Sequence, residues 1–303
     1  MPKKHSLQPR LIGTGLSGLV GSKVVELLQD EFQFENIDLT HPTHPTDITK
    51  LDQVQRVLAA SDAEVVLHFA AFTDVTKSWE QRGDKNGVAY QVNVIGTENI
   101  VKAAAESGKH VVHISTAYVF DGKKAEPYTE EDSLHPIEWY GETKAIAEQV
   151  VQDSQASWTI LRIDQPFRSD PFNRPDVVHR IIHGLLAGTL PPQFTNHYLG
   201  PTFVDDFAEV IRWVVKTKQT GIFHASAGEQ WTDYDLATAV QKTLQLPGKV
   251  EKGDLDAYLA KSHRPYARNT ALSTEKIRRL LPQPQLPIRD ALRLVTFVDD
   301  ANQ

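Results

Sequence analysis

Tyr140-Gly141-Glu142-Thr143-Lys144 sets a phenol and an ammonium four residues apart. On a helix that spacing brings both to one face, within reach of the same small group. A neighbouring cation favours the phenolate, and a phenol with an ordinary pKa near ~10 needs such help to exchange protons near neutral pH. Thr116 follows the apolar run His110-Val111-Val112-His113-Ile114-Ser115, so its hydroxyl falls at the carboxyl edge of a buried strand, where open α/β sheets bind ligands. A proton donor, a cation and a hydroxyl able to steady a carbonyl oxygen are what reversible reduction of a ketone requires. The plainer readings are a surface helix pair and a hydroxyl bonding its own backbone.

A hydride source is implied near the N-terminus. Gly13-Thr14-Gly15-Leu16-Ser17-Gly18-Leu19-Val20-Gly21 fits G-x-G-x-x-G from Gly13 and G-x-x-G-x-x-G from Gly15. Glycines between a strand and a helix let the backbone approach a pyrophosphate, and the free N–H groups of the helix end receive its charge. Asp38 comes at the end of the next apolar run, where a carboxylate accepts bonds from the adenosine ribose and repels a 2′-phosphate. No Arg or Lys occurs in Leu39-Thr40-His41-Pro42. NAD(H) is therefore favoured over NADP(H).

The elements that must carry these groups alternate. Leu11-Ile12, Asn36 to Leu39, Glu64 to Phe69, His110 to Ser115 and Trp158 to Arg162 read as strands. Between them Leu19 to Leu28, Leu51 to Ala60, Val88 to Glu106 and Tyr140 to Asp153 have helical periodicity. The expected fold is α/β, a doubly wound parallel (Rossmann) sheet with a smaller C-terminal α/β substrate lobe. We expect residues 1–165 to be the dinucleotide-binding domain and 166–303 mainly the substrate lobe, with about 201–225 returning to the main sheet. A helix over Asp205 to Lys218 has one apolar face, and Asp205 or Asp206 is placed to cap it.

Composition narrows the function classes. The 303 residues include 32 Lys+Arg against 39 Asp+Glu and no cysteine. The net charge of −7 and the lack of a basic stripe speak against nucleic acid. Thiolate catalysis, disulfides and Cys-ligated zinc are excluded. No apolar run is long enough for a membrane span and the basic N-terminus has no apolar core of a signal peptide, so a cytoplasmic protein is expected. His179 and His183 have zinc-helix spacing, but Arg180 stands where a catalytic Glu would be and no third ligand is indicated; no metal is expected.

Taken together, Thr14-Gly15-x-x-Gly18-x-x-Gly21, Phe69-Ala70-Ala71, Asn93, Ser115-Thr116-Ala117-Tyr118-Val119-Phe120-Asp121-Gly122 and Tyr140-x-x-x-Lys144 resemble the extended short-chain dehydrogenase/reductase superfamily. Pro201-Thr202-Phe203-Val204-Asp205-Asp206 and Arg264-Pro265 followed by Leu272 are most similar to its dTDP-4-dehydrorhamnose reductase (sugar-nucleotide-binding) branch. The resemblance implies an NAD(P)-dependent oxidoreductase that reduces the keto group of a nucleotide-linked sugar. Tyr140 would be the acid/base, Lys144 would hold the nicotinamide ribose, and Thr116 would bond the reacting oxygen. It implies cofactor contacts at Gly15, Leu16, Ser17, Gly18, Leu19 and Gly21, at Asp38, Asp47 and Ile48, at Ala70, Ala71, Phe72 and Thr73, and at Pro166 and Phe167, with Asn93 bracing the site.

The chain departs from the branch at Ala117, where Asp is usual, and after the fifth strand, where an aromatic is usual and this chain reads Leu161-Arg162-Ile163-Asp164-Gln165-Pro166-Phe167; both changes fall where substrate choice is made. An NAD-dependent nucleotide-sugar epimerase is one alternative and a non-catalytic NAD(P)-binding regulatory subunit another. Dehydration is disfavoured because Ala117-Tyr118 supplies no acidic pair. A homodimer is compatible with these features.

Overall fold

A computed structural model describes residues 8–43 and 45–298. Six strands form one parallel sheet: β1 (Arg10–Thr14), β2 (Gln33–Asn36), β3 (Val65–His68), β4 (His110–Thr116), β5 (Ser157–Ile163) and β6 (Gly221–His224), in the order β6-β5-β4-β3-β1-β2. After β2 the chain crosses to the other side of β1. The loops after β1 and β3 therefore diverge and leave a crevice at the sheet's carboxyl edge.

Alternation along each strand sends side chains to two cores. Leu11, Val65, Leu67, Val112 and Leu161 pack under α1 (Leu19–Leu28) and the later helix Val204–Thr217. Ile12, Val66, Val111 and Ile160 pack under α2 (Leu51–Ala60) and α3 (Gly96–Glu106), joined by Val151 of α4 (Trp139–Gln152). The sheet is doubly wound. A third core joins α5 (Val177–Leu186) to Phe167, Phe203, Trp231, Leu236, Val240 and Ile288. It belongs to a lobe built from residues on either side of Val204–His224, the stretch that returns to the main sheet as helix α6 (Val204–Thr217) and strand β6.

Three local expectations are corrected. The strand β2 ends at Asn36 rather than Leu39, because β1 turns away into the glycine loop and leaves Asp38 no ladder partner beyond the Ile37 N–H to Gly13 carbonyl bond. The Val88 to Glu106 helix contains a π turn over Gln91–Ile95. Neither Asp205 nor Asp206 caps α6: Asp205 accepts from the Ser169 N–H and hydroxyl, and Asp206 from the Leu286 N–H. Tertiary partners thus displace a local cap. Among the described residues no helix is long and apolar enough to cross a membrane.

Candidate active site

The glycine loop is shaped by contacts that forbid a side chain. Gly15 has φ +72° and packs on the Phe69-Ala70 backbone, and a Cβ on Gly21 would collide with the Gly15 carbonyl. A Cβ on Gly18, by contrast, meets only the Gly15 carbonyl, at 3.2 Å. The loop is therefore closed toward β3 and open outward at Gly18, where α1 begins and its first N–H groups lack helical acceptors. Such a cradle fits a pyrophosphate. The Asp38 carboxylate accepts from the N–H of Gly15 and, at 2.8 Å, of Ser17, while Asn36 Nδ2 donates to Ser17 Oγ. Two backbone donors thus fix the acidic side chain against the glycine loop.

The Tyr140 and Lys144 side chains project from the first turns of α4 toward the end of β4. Glu138 caps that helix, accepting from the N–H of Tyr140 at 2.9 Å and Gly141 at 2.8 Å. Gly141 is needed for close approach, since a Cβ there would overlap the Tyr118 carbonyl. The Tyr140 phenol and Thr116 line the same cleft. The phenol's pKa is pushed up rather than down: burial dominates, Glu138 and Asp164 add to it, and only the Thr116 hydroxyl opposes. The expected lowering by Lys144 does not appear; its ammonium donates to the Ile114 carbonyl at 2.8 Å and faces His113 Nε2 at 3.2 Å. Burial lowers Lys144 to about 8, partly offset by Glu148. Burial also drives His113 well below its ordinary value, so it stays neutral and its Nε2 accepts. One of the three ammonium protons is left for a ligand.

Asn93 sits in the π turn and does not reach the cleft. Its Oδ1 accepts from the Phe72 N–H at 2.7 Å, and its Nδ2 donates to the Phe72 carbonyl and the Thr143 hydroxyl. It clamps the loop after β3 to α4. A second chain runs beneath: Thr97 Oγ1 donates to the Asn93 carbonyl and so accepts from His68 Nε2, leaving His68 Nδ1 to accept from Thr14 Oγ1. Buried His68 is lowered to about 3 and is neutral. One turn beyond Lys144, Glu148 forms a bidentate pair with Arg162 of β5 at 2.9 and 2.6 Å, both fully interior. It fixes the rotation of α4 against the sheet.

One cleft of about 840 Å³ is lined by Gly15, Ser17, Gly18, Leu19, Gly21, Asp38, Asp47, Ile48, Ala70, Ala71, Thr73, Thr116, Tyr140, Lys144 and Pro166. Four sequence candidates lie elsewhere. Leu16 is a core residue under Gly13, and Phe167 is wholly buried against Phe203 with ring centroids 5.2 Å apart. Phe72 and Asn93 act on one another behind the wall. Sequence reasoning missed Tyr118, Arg174, Asp176 and Arg180, and marked Asp164 and Gln165 only as part of a stretch bearing on substrate choice; all six line the cleft. Arg174 and Arg180 belong to an irregular loop and an ordinary amphipathic helix and carry no motif. His179 bonds Asp176 at 2.9 Å and the Thr296 carbonyl at 3.1 Å. Among the described residues no three His, Asp or Glu side chains converge as a metal site.

The model of the RmlD substrate binding domain family matches residues 9–300. The chain belongs to that family. A dTDP-4-dehydrorhamnose reductase of Aggregatibacter actinomycetemcomitans is 30% identical over 238 residues, 76% of this chain and 78% of the relative. Methionine adenosyltransferase 2 subunit beta of Mus musculus is 28% identical, covering 94% of this chain and 86% of its own length. The structure of a dTDP-4-dehydrorhamnose reductase from Bacillus anthracis, in complex with NADP, superposes with a TM-score of 0.82 over 94% of this chain and 98% of that one; at 23% identity it shows a common fold.

Proposed function

We propose that the chain is an NAD(P)-dependent reductase that converts the keto group of a nucleotide-linked sugar to an alcohol. The observation that carries this reading is the single cleft that joins the Gly15–Gly21 cradle and Asp38 to Thr116, Tyr140 and Lys144. The likeness to a dTDP-4-dehydrorhamnose reductase supports the substrate class. In this reading residues 1–165 serve the dinucleotide and 166–303 mainly serve the sugar nucleotide.

When bound, a dihydronicotinamide would supply the hydride that the carbonyl carbon accepts. Tyr140 gives its proton to the oxygen, and Thr116 bonds that oxygen as negative charge develops. Lys144, anchored by Ile114 and His113, turns its remaining proton to the nicotinamide ribose. A reductase starts with the proton on the phenol, the form that burial favours for Tyr140.

The cofactor proposed is NAD(H) in preference to NADP(H). Ile37, Asp38, Leu39, Thr40, Thr46, Asp47 and Ile48 line the ribose and adenine end, and no Lys or Arg stands among them. The anchored Asp38 carboxylate would repel a 2′-phosphate there. A non-catalytic subunit is the second reading, favoured by the similarity to methionine adenosyltransferase 2 subunit beta along 94% of the chain.

Incubation with NADH and a panel of dTDP- and UDP-linked 4-keto sugars, and in parallel with NAD+ and the corresponding 4-hydroxy sugars, followed by nicotinamide absorbance and sugar isomer analysis, tests the reading. NADH consumption with one alcohol formed per NADH supports it. Isomerised sugar without net oxidation overturns it for the epimerase. Dinucleotide binding with no turnover, together with a stable complex with another enzyme, overturns it for the regulatory subunit.

A further inference from the structure

Asp164 follows β5 directly, lines the cleft and is 1% exposed. Three of its four polar atoms are held. Its N–H donates to Thr202 Oγ1 at 3.1 Å, and its carbonyl accepts from the same hydroxyl at 2.8 Å. Carboxylate Oδ2 accepts from the Gly200 N–H at 2.9 Å and the Thr270 hydroxyl at 2.7 Å. Oδ1 has no partner. The next residue, Gln165, has φ +37°, a conformation that non-glycine residues adopt only where the surroundings impose it. Segments far apart in the sequence thus converge to fix one carboxylate and leave half of its acceptor capacity unused.

The groups around Asp164 make that atom a receptor for a neutral donor. It acts electrostatically on Tyr118 and Tyr140, and burial pushes both phenols upward, so neither is an anion that would compete for a proton. Burial raises Asp164 itself to about 6, opposed chiefly by the Gly200 N–H and the Thr270 hydroxyl on Oδ2. In its ionised form it can only accept. A buried acceptor without a partner is costly, and a ligand hydroxyl relieves that cost.

We propose that Asp164 Oδ1 accepts a hydrogen bond from a ring hydroxyl of the substrate sugar near its reacting carbonyl, and so selects sugars that carry this hydroxyl. The inference rests on the nucleotide-sugar reading and names a substrate feature within it. A purely structural Asp164, tying β5 to Gly200 and Thr270, needs Oδ2 alone.

The test uses the full chain with NADH, dTDP-4-dehydro-6-deoxyglucose and its 2-deoxy and 3-deoxy counterparts, by steady-state kinetics and by calorimetric titration. We expect the wild type to favour the fully hydroxylated sugar over one deoxy counterpart by at least about tenfold. Asp164→Ala and Asp164→Asn should abolish that preference; Asn can keep the Gly200 and Thr270 bonds while presenting a donor where an acceptor is required. Thr270→Val, which removes a tie and leaves Oδ1, should retain it. Unchanged NADH affinity shows that each variant is folded. A wild type without preference, or a folded Asp164 variant that keeps it, overturns the inference. If the wild type binds the sugars but reduces none, the reductase reading fails and the calorimetric preference alone decides the role of Asp164. If it binds none of them, the inference falls.

Discussion

The two walls of the cleft are built differently. The wall proposed for the cofactor is made from neighbours in sequence: Gly15, Ser17, Gly18 and Gly21 lie on one turn, whose Gly15 and Ser17 N–H groups hold Asp38, one crossover later. The opposite wall is assembled over long range, with Asp164 held by Gly200 and Thr270 and the lobe core gathered from both sides of the returning α6-β6 segment. Local geometry dictates the first. The second exists only once the fold has closed, so damage should separate: defects in the first should read as lost dinucleotide affinity, and defects in the second as lost turnover or sugar choice.

The largest effect is expected at the junction of the walls. Tyr140→Phe removes the transferable proton and should lower kcat by about 10²–10⁴ while the NADH dissociation constant stays nearly unchanged. Stopped-flow hydride transfer and NADH fluorescence titration measure the two, and a variant with near wild-type turnover would remove Tyr140 from the chemistry.

Next comes a matched pair of glycines. Gly141→Ala forces the helix away from the Tyr118 carbonyl and misplaces Tyr140, for an expected loss of about 100-fold in kcat with little change in NADH binding. Gly21→Ala forces α1 away from Gly15 and should do the reverse, weakening NADH by about tenfold or more. Equal loss of both quantities in both variants would break the distinction between the walls.

A smaller change is expected from Asp38→Ala. Losing a charged acceptor for the ribose should weaken NADH by about tenfold, and NADPH should lose less or gain, since two loop N–H groups become free for phosphate. Comparison of the two dissociation constants checks this; wild-type preference for NADPH would contradict the role given to the carboxylate.

The mildest effect under ordinary conditions concerns acid. Burial lowers His68 to about 3, His110 to about 4 and His224 to about 3. Below the ordinary histidine range the unfolded chain binds these protons and the folded chain does not, so stability falls as pH drops from about 6.5 toward 4, each group contributing up to about 1.4 kcal/mol per pH unit. Glu138, raised to about 7, and Asp164, raised to about 6, oppose this until the pH reaches their ordinary carboxylate range. The loss should therefore steepen below about pH 4.5, where unfolded Glu138 is also protonated. Denaturant midpoints across that range measure it, and a flat profile would show that the histidines charge without unfolding.

The same division explains what the sequence revealed. Helix α2 has the bounds its periodicity predicts, and the Thr116, Tyr140 and Lys144 trio lines the cleft as its spacing suggested, because each depends on one strand end or one helical turn. Asp38 was found, but its bonds to the loop N–H groups were not, since they depend on where β2 stops. Phe167 stands one residue after a cleft residue yet faces the lobe core; alternation along an extended segment can produce either outcome, and the register with Phe203 decides it. Arg174 and Arg180 carry no periodic or motif signal, and Asp164 is marked in the sequence only as part of a stretch that departs from the family pattern. Contacts between distant segments reveal how its carboxylate is held.

The π turn at Gln91–Ile95 is one residue wider than the regular helix around it. Deleting a single residue there would turn every side chain on its N-terminal side by about 100° relative to α3. Asn93 could then no longer face Phe72 and Thr143 while Thr97 still met His68. That surplus residue works as a phase adjuster between a helix that must pack against the sheet and an amide that must latch the active-site loop, and shortening the helix would force the protein to give up one of the two.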